Sequence, residues 1–491
     1  MSRFPQTMHF THLNRPIAIE WSARNLPVQG EIPAEIDGAF FRAVPDPAHA
    51  PLFDDDHALS GDGMVSRFLI HGGQIDHDIR YVRTPRYEAE RKARTALFGR
   101  YRNRFTDKPE VQDLDRAVAN TTSVWHGGRL LMTKEDALAY EVNPHTLETV
   151  GRHDFGGKLK SETMTAHVRV DPDSGEMFFF GYQASGLCTN DVAYCIADKN
   201  GELTSEQWFQ QPYCSSIHDF GITGKYAVFP LFPTLVNMER LKSGGVHWLH
   251  EQDEDSWLGI MPRYGKVSEL RWFKGPKGVS AYHFVNAFDE GDKVHVDICL
   301  SNTNAFPFMH KDDEGFHPSQ LRGGLTRWTV DLSKPDAQIE SKVIGPPGDL
   351  PRLRDQDQGR PYTHCWMPVY DPSLGPPVVG GPVGSCFNAL LRVDVVTGRV
   401  DALSFGLGHA FNEPVHVPSG KPGHDGYLLC VVDREIDEHS HESTLFVLDA
   451  TNINAPPLAT VKMPVPLRPQ VHGWWVPAQQ LADSKHKDKA A

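Results

Sequence analysis

A histidine stands in the tight apolar stretch PQVHGWWVP, residues 469–477. A polar ring in such a setting has to be hydrogen-bonded or bound to something. Three others share its character: His167 in MTAHVRVDPDSGEMFFFGY, His218 in SSIHDFGITGKYAVFP and His283 in SAYHFVNAFDEGDKVHVDI. Each of the four, His472 included, stands at the start of a strand-like segment, and the first three precede a turn and a strongly apolar strand. Imidazole is a common metal ligand, so rings that led several strands toward one point could meet at a single ion. The gaps of 51, 65 and 189 residues place each ring on its own local element, so only tertiary structure can bring them together. Two closer pairs read differently. His439 and His441 in DEHSHES, and His247 and His250 in HWLHE, lie in charged, loop-like surroundings and are expected to be solvated, the second pair on a helix.

The elements that must position these rings are short and β-like: MVSRFLI, GEMFFFGY, KYAVFP, KVHVDICL, LTRWTVDL, GYLLCVVD and STLFVLDA. Turn signals such as VDPDSGEM, FDEGDK and VVTGRV separate them. Many short strands with turns between them indicate an all-β sandwich, barrel or propeller, and at this length a propeller is the economical choice. No blade signature recurs at a fixed period. One segment breaks the pattern. Residues 86–108, RYEAERKARTALFGRYRNRFTDK, are basic and carry Ala93, Ala96, Leu97 and Tyr101 at helical spacing, which predicts a helix on the sheet edge, a lid over a site, or a surface helix touching anionic lipid. LHEQDEDSW, 249–257, is expected to be an exposed loop, and SGDGM, 60–64, a tight turn.

Composition limits the function classes. The chain has 491 residues and is 40% hydrophobic and 23% charged, as soluble globular proteins are. A net charge of −14 excludes a general nucleic-acid binder, which needs a basic face. No stretch has signal-peptide character or approaches a membrane span. Seven cysteines without a CxxC pair fit reduced thiols in a cytoplasm. There is no Walker loop, GxSxG elbow or HExxH helix, and GLGHAF at 406–411 lacks the third glycine of a dinucleotide loop.

The four histidine stretches resemble the metal-ligand motifs of the carotenoid cleavage oxygenase family. So do GAFFRAVPDP, SGDGMV, ANTTSVWHGGRLLMTKEDALAYEVNPHTLETVG, GDLPRLRDQDQGRPYTHCW and FNEPVHVP, and the likeness runs from about residue 30 to 477. It implies a seven-bladed β-propeller, with a few helices and loops capping the active-site face. The whole chain, 1–491, is then a single domain, with an ordered core over about 10–480, a basic lid segment at 86–108 and a polar tail at 481–491. Non-haem Fe(II) bound by His167, His218, His283 and His472 is implied, with O2 as co-substrate. Imidazole suits iron and leaves positions open for O2 and water. A ligand histidine needs its second ring nitrogen held, and by motif the acids that do this are Glu135, Asp349 and Glu413. Aspartate at 349 stands where the family has glutamate; being one methylene shorter, it is expected to reach its histidine by a lengthened or water-mediated bond.

Within the family the chain is similar to bacterial lignostilbene dioxygenases. Tyr101 and Lys134 match the pair that holds the substrate's phenolic oxygen there, and a buried ammonium beside a phenol makes a specific site for such an oxygen. The resemblance implies cleavage of the central C=C bond of a 4-hydroxystilbene to two aromatic aldehydes. Leu59 stands where those enzymes carry an aromatic residue that stacks on the substrate ring, so the pocket is expected to be wider. Alternatives are an apocarotenoid or carotenoid cleaver of the same fold and a catalytically inactive propeller that binds a partner. Relatives suggest a homodimer; no stable membrane insertion is expected.

Overall fold

A computed structural model describes residues 3–311, 316 and 320–486. Two compact units divide the chain: residues 1–154, 368–392 and 401–491 form one, and residues 155–367 and 393–400 the other. The second unit holds three antiparallel four-stranded meanders. They are Arg169–Val170, Met177–Tyr182, Asp191–Ala197 and Leu203–Gln210; then Gly221–Ile222, Tyr226–Leu231, Asp255–Pro262 and Arg271–Lys277; then Phe284–Glu290, Lys293–Ser301, Gly323–Asp331 and Glu340–Gly345. Thr234–Leu235 pairs with Leu249–His250 as a separate two-stranded ribbon.

The anticipated turns are there for the anticipated reason. In VDPDSGEM the Asp171 Oδ1 accepts the N–H groups of Asp173 and Ser174, both at 2.9 Å, and Gly175 takes φ +71°. An acceptor side chain and a glycine free of the left-handed penalty reverse the chain between strands. Met177–Tyr182 is buried at every position, as a strand covered on both faces must be. Phe180 meets Phe220 and Phe229 edge-on, so the first two meanders interdigitate. Phe273, Phe284, Val296, Ile298 and Trp328 belong to the core between the second and third.

The first unit builds the sheets Thr122–His126, Arg129–Thr133, Tyr140–Val142 and Thr149–Arg152, and a five-stranded sheet in which Gly473–Pro477 pairs with Gly38–Pro45. A larger sheet is centred on Tyr427–Asp437 and Ser440–Asp449, and the sheets of three or more strands among the described residues number seven.

The basic segment is helical for less of its length than its spacing predicts. The helix is Pro85–Ala93; Thr84 caps its N-terminus, and Arg94 ends it in the left-handed region at φ 56°. The buried Glu90 carboxylate then accepts the N–H groups of Leu97 and Phe98 at 2.8 and 3.0 Å. Ala96, Leu97 and Phe98 are therefore buried in a turn held by a side chain, rather than spaced along a helix face. The 481–491 tail is also more structured than expected. Helix Ala478–Ala482 continues into a segment whose Lys485 N–H donates to the Gly128 carbonyl at 2.9 Å and whose His486 Nε2 lies 2.7 Å from Glu141. Residues 487–491 lie outside the described part.

SGDGM is not the tight turn expected but the link from the 3-10 helix Ala58–Ser60 into the strand Gly63–His71, and Gly63 shows why a glycine follows the aspartate. A Cβ there would stand 2.2 Å from the Ala119 carbonyl oxygen and 2.3 Å from that of Val118. Backbone on that side cannot give as a flexible side chain would. Gly63→Ala is expected to destabilise the chain by about 1–3 kcal/mol, the usual cost of overpacking, read as a fall in thermal midpoint.

Candidate metal centre

His167, His218 and His283 each lie within three residues of the first strand of a meander, and all three belong to the second unit. The structure brings them together. The Nε2 atoms of His167 and His218 are 3.0 Å apart, and those of His218 and His283 are 3.3 Å apart. The ring centroids are separated by 4.5, 5.1 and 5.1 Å. Local bonds aim the rings: the His167 N–H donates to Thr165 Oγ1 at 3.0 Å, and the His283 carbonyl accepts the Cys299 N–H at 3.1 Å.

His283 donates from Nδ1 to Asp349 Oδ1 at 2.7 Å. A carboxylate can only accept, so the proton sits on Nδ1 and the Nε2 lone pair faces the cluster. This corrects the expected long or water-mediated bond: the shorter acid reaches directly. Leu350 adopts φ 52°, and its N–H also donates to Asp349 Oδ1 at 2.9 Å. Burial alone would raise the Asp349 carboxyl; the adjacent His283 ring outweighs it and holds the group below its ordinary range.

In the first unit, His472 and Glu413 repeat this arrangement. His472 donates from Nδ1 to Glu413 Oε1 at 2.8 Å, and the Gly473 N–H takes Oε2 at 2.8 Å. Both residues are 3% exposed. The backbone around the ring is fixed as well, with the His472 N–H on the Thr121 carbonyl and the Ala43 N–H on the His472 carbonyl.

Nitrogens about 2 Å from one ion and at right angles to each other stand about 3 Å apart, close to the 3.0 and 3.3 Å that separate His218 Nε2 from those of His167 and His283. The donor set therefore fits a divalent ion that favours imidazole.

The first unit also gathers the residues expected to bind a phenol. Lys134 is 4% exposed, and its Nζ lies 5.0 Å from the Tyr101 ring centroid. The Nζ donates to Asn120 Oδ1 at 3.2 Å and the Leu59 carbonyl at 3.4 Å. Leu59 thus touches the lysine through its backbone. Burial pushes the Lys134 ammonium down to about 8, against the opposing pull of Asp136 and Glu135. Burial pushes the Tyr101 phenol up, so it stays protonated. Glu135 Oε2 lies 3.4 Å from Arg102 Nη1, with both side chains buried.

The sequence reading missed His57. Its buried ring packs on Tyr101 with centroids 4.4 Å apart. Burial, then the nearby His9 and Lys134, push it well below the usual imidazole range. It lies two residues before Leu59, so an aromatic ring is present in this stretch after all, displaced along the chain. His250 was also misjudged. It is 1% exposed and lies in the ribbon strand Leu249–His250, and His247 is 3% exposed.

Three proteins place this geometry among known relatives. The chain is 40% identical to lignostilbene-alpha,beta-dioxygenase isozyme III of Sphingomonas paucimobilis, over 98% of this chain and 99% of that one. It is 39% identical to isoeugenol monooxygenase of Pseudomonas putida, over 94% and 96%. The crystal structure of Pseudomonas brassicacearum lignostilbene dioxygenase aligns with a TM-score of 0.92 at 36% identity, covering 97% of this chain and all of that one. That likeness gives the chain the seven-bladed β-propeller fold expected from its sequence. The retinal pigment epithelial membrane protein family matches residues 14–477, and the chain belongs to it, the family of the carotenoid oxygenases.

Proposed function

We propose that the chain, one propeller domain throughout, is a non-haem Fe(II)-dependent dioxygenase that cleaves the central C=C bond of a 4-hydroxystilbene, one atom of O2 going to each new aldehyde. His167, His218, His283 and His472 would hold the iron. The observation that carries the reading is that three of these rings, carried on separate meanders of the second unit, converge, with His218 Nε2 3.0 Å from that of His167 and 3.3 Å from that of His283. Asp349 and Glu413 fix two of the rings through Nδ1, and Glu135 is proposed to serve a third. Fe(II) held there would supply the activation of O2.

The rest of the work falls to the protein's side chains. The Lys134 ammonium, with Tyr101 beside it, receives the substrate's phenolic oxygen and favours its phenolate-like form. That pushes electron density along the conjugated system to the central bond. The Tyr101 hydroxyl remains protonated and can donate to the same oxygen. Leu59 and His57 border this end: the first leaves room, and the second backs the Tyr101 ring. A polyene offers no group to satisfy a buried ammonium, which favours a phenol over a carotenoid. The relatives' names point the same way.

Nothing in this reading requires the homodimer that the resemblance implies. All seven cysteines are free, which supports a reducing cytoplasm. No helix among the described residues is long and apolar enough to cross a membrane.

The test combines metal analysis with product release. Protein reconstituted anaerobically with Fe(II) is expected to hold about one iron per chain and, in air, to release equimolar aldehydes from hydroxylated stilbenes while taking up O2. Iron-loaded protein that releases aldehyde from apocarotenoids and none from any hydroxystilbene overturns the substrate assignment. Failure to take up iron overturns the whole reading.

A further inference from the structure

Beside His218 runs a chain of hydrogen bonds that the proposed reaction does not use. The buried His250 places Nε2 2.8 Å from the Gly278 carbonyl oxygen, which only accepts, so Nε2 carries a proton. Its Nδ1 lies 3.2 Å from Thr234 Oγ1. That hydroxyl receives an N–H of Asn304 Nδ2 at 3.0 Å, and the same amide nitrogen lies 2.9 Å from the Tyr282 oxygen. Asn304 Oδ1 accepts the Phe306 N–H at 2.9 Å. The Tyr282 hydroxyl has Met309 Sδ and Asn304 Oδ1 within reach, each at 3.1 Å. The polarity is consistent throughout. Asn304 donates to Thr234, Thr234 donates to His250 Nδ1, and His250 Nε2 donates to Gly278. Every member has a partner, and such networks are rigid.

Two members of the chain, Thr234 and Tyr282, reach His218 or the backbone that carries it. The Thr234 carbonyl accepts the Ser216 N–H at 3.0 Å, and the Cys214 carbonyl accepts the Val236 N–H at 3.3 Å. The ribbon strand is thus laced to the backbone that runs into His218. Tyr282 stands edge-on to the His218 ring, with centroids 5.2 Å apart and planes at 81°. Phe306 packs against Tyr282 at 4.4 Å. Asn304 also ties down the segment beyond it, since its carbonyl meets His310 Nε2 at 2.8 Å.

We propose that His250, Thr234, Asn304 and Tyr282 form a positioning network that sets the aim of the His218 imidazole, holding at once the backbone that carries the ring and the aromatic edge that rests on it. The proposal rests on the ferrous centre assigned above. None of the four residues is proposed to touch the metal or the substrate; they act through His218. Thr234 is the point to probe, because valine keeps its β-branched shape and removes only the hydroxyl.

The experiment measures Fe(II) affinity by anaerobic competition with a chelator, and the electron paramagnetic resonance spectrum of the ferrous protein's nitric oxide adduct, for wild type, Thr234→Val, Thr234→Ser and Tyr282→Phe. Thr234→Val is expected to weaken Fe(II) binding about 10-fold or more, in the range for groups that orient a ligand, and to change the rhombicity of the spectrum. Thr234→Ser is expected to restore both. Tyr282→Phe keeps the ring, loses the anchor and is expected to shift the spectrum in the same direction. If Thr234→Val loses its near-ultraviolet circular dichroism, the Tyr282→Phe spectrum decides. Wild type that loads iron alongside folded variants with wild-type affinity and spectrum overturns this inference alone. Wild type that loads no iron overturns the functional reading and this inference with it.

Discussion

His283→Ala is expected to reduce stilbene cleavage to background and to leave the chain unable to retain iron through a desalting column. The substitution removes one of the clustered Nε2 atoms and strands Asp349, whose carboxylate then loses the ring that holds it below its ordinary range. Asp349→Asn separates the two effects. The amide keeps the shape but can donate as well as accept, so it no longer forces the proton onto His283 Nδ1. Rings that place the proton on Nε2 have no lone pair for the metal. Loss of such a partner typically costs about 10–100-fold in metal affinity or activity, and that graded loss is expected here, measured as the Fe(II) dissociation constant and kcat/KM. Equal, complete loss in both variants would mean that Asp349 does more than orient the ring. Full iron retention by His283→Ala would remove His283 from the proposed ligand set.

These rings could be found in the sequence because their setting conflicts with their chemistry. His472 sits among valine, glycine and tryptophan, and Glu413 lies in AFNEPVHV; a buried imidazole and a buried carboxylate each need a partner. What could not be read was everything decided by contacts across the chain. His57 and Tyr101 are 44 residues apart in sequence yet pack ring on ring, and no local pattern records that. His250 was hidden by its neighbours. Glu251 and Asp253 made HWLHEQDED look solvated, whereas the strand before them pairs with Thr234–Leu235 and carries the ring inward. The lid helix was over-read because Ala96 and Leu97 share a face only if the helix continues, and Glu90 ends it by supplying acceptors to the N–H groups beyond. At Asp349 side-chain length was a sound consideration, but how closely the backbone brings residue 349 to His283 also decides the reach, and a sequence does not display it.

Lys134→Met is expected to impair cleavage and, at neutral pH, to stabilise the fold. For 4-hydroxystilbene kcat/KM should fall about 10–100-fold, since hydrogen bonds to charged groups are worth about 1.5–3 kcal/mol. For the 4-methoxy analogue, which offers no phenolate, wild type and variant should be alike. The pH dependence follows from the buried ammonium, held at about 8 rather than 10.5. Wild-type kcat/KM should decline as pH rises through about 8, because the free enzyme loses the charge that receives the phenolic oxygen. The variant should lack that limb. For stability the sign reverses. Between about 8 and 10.5 the unfolded chain binds the proton more tightly than the folded one, so Lys134 makes the wild type more stable as pH rises. At pH 7 the displaced group costs roughly 3 kcal/mol, which methionine removes, partly offset by the bonds lost to Asn120 and Leu59. The thermal midpoint of Lys134→Met should therefore exceed wild type most at pH 7, with the gap narrowing toward pH 10. A variant equally impaired on both stilbenes, or with a gap that widens as pH rises, would show that Lys134 is a structural cation and that the phenol binds elsewhere.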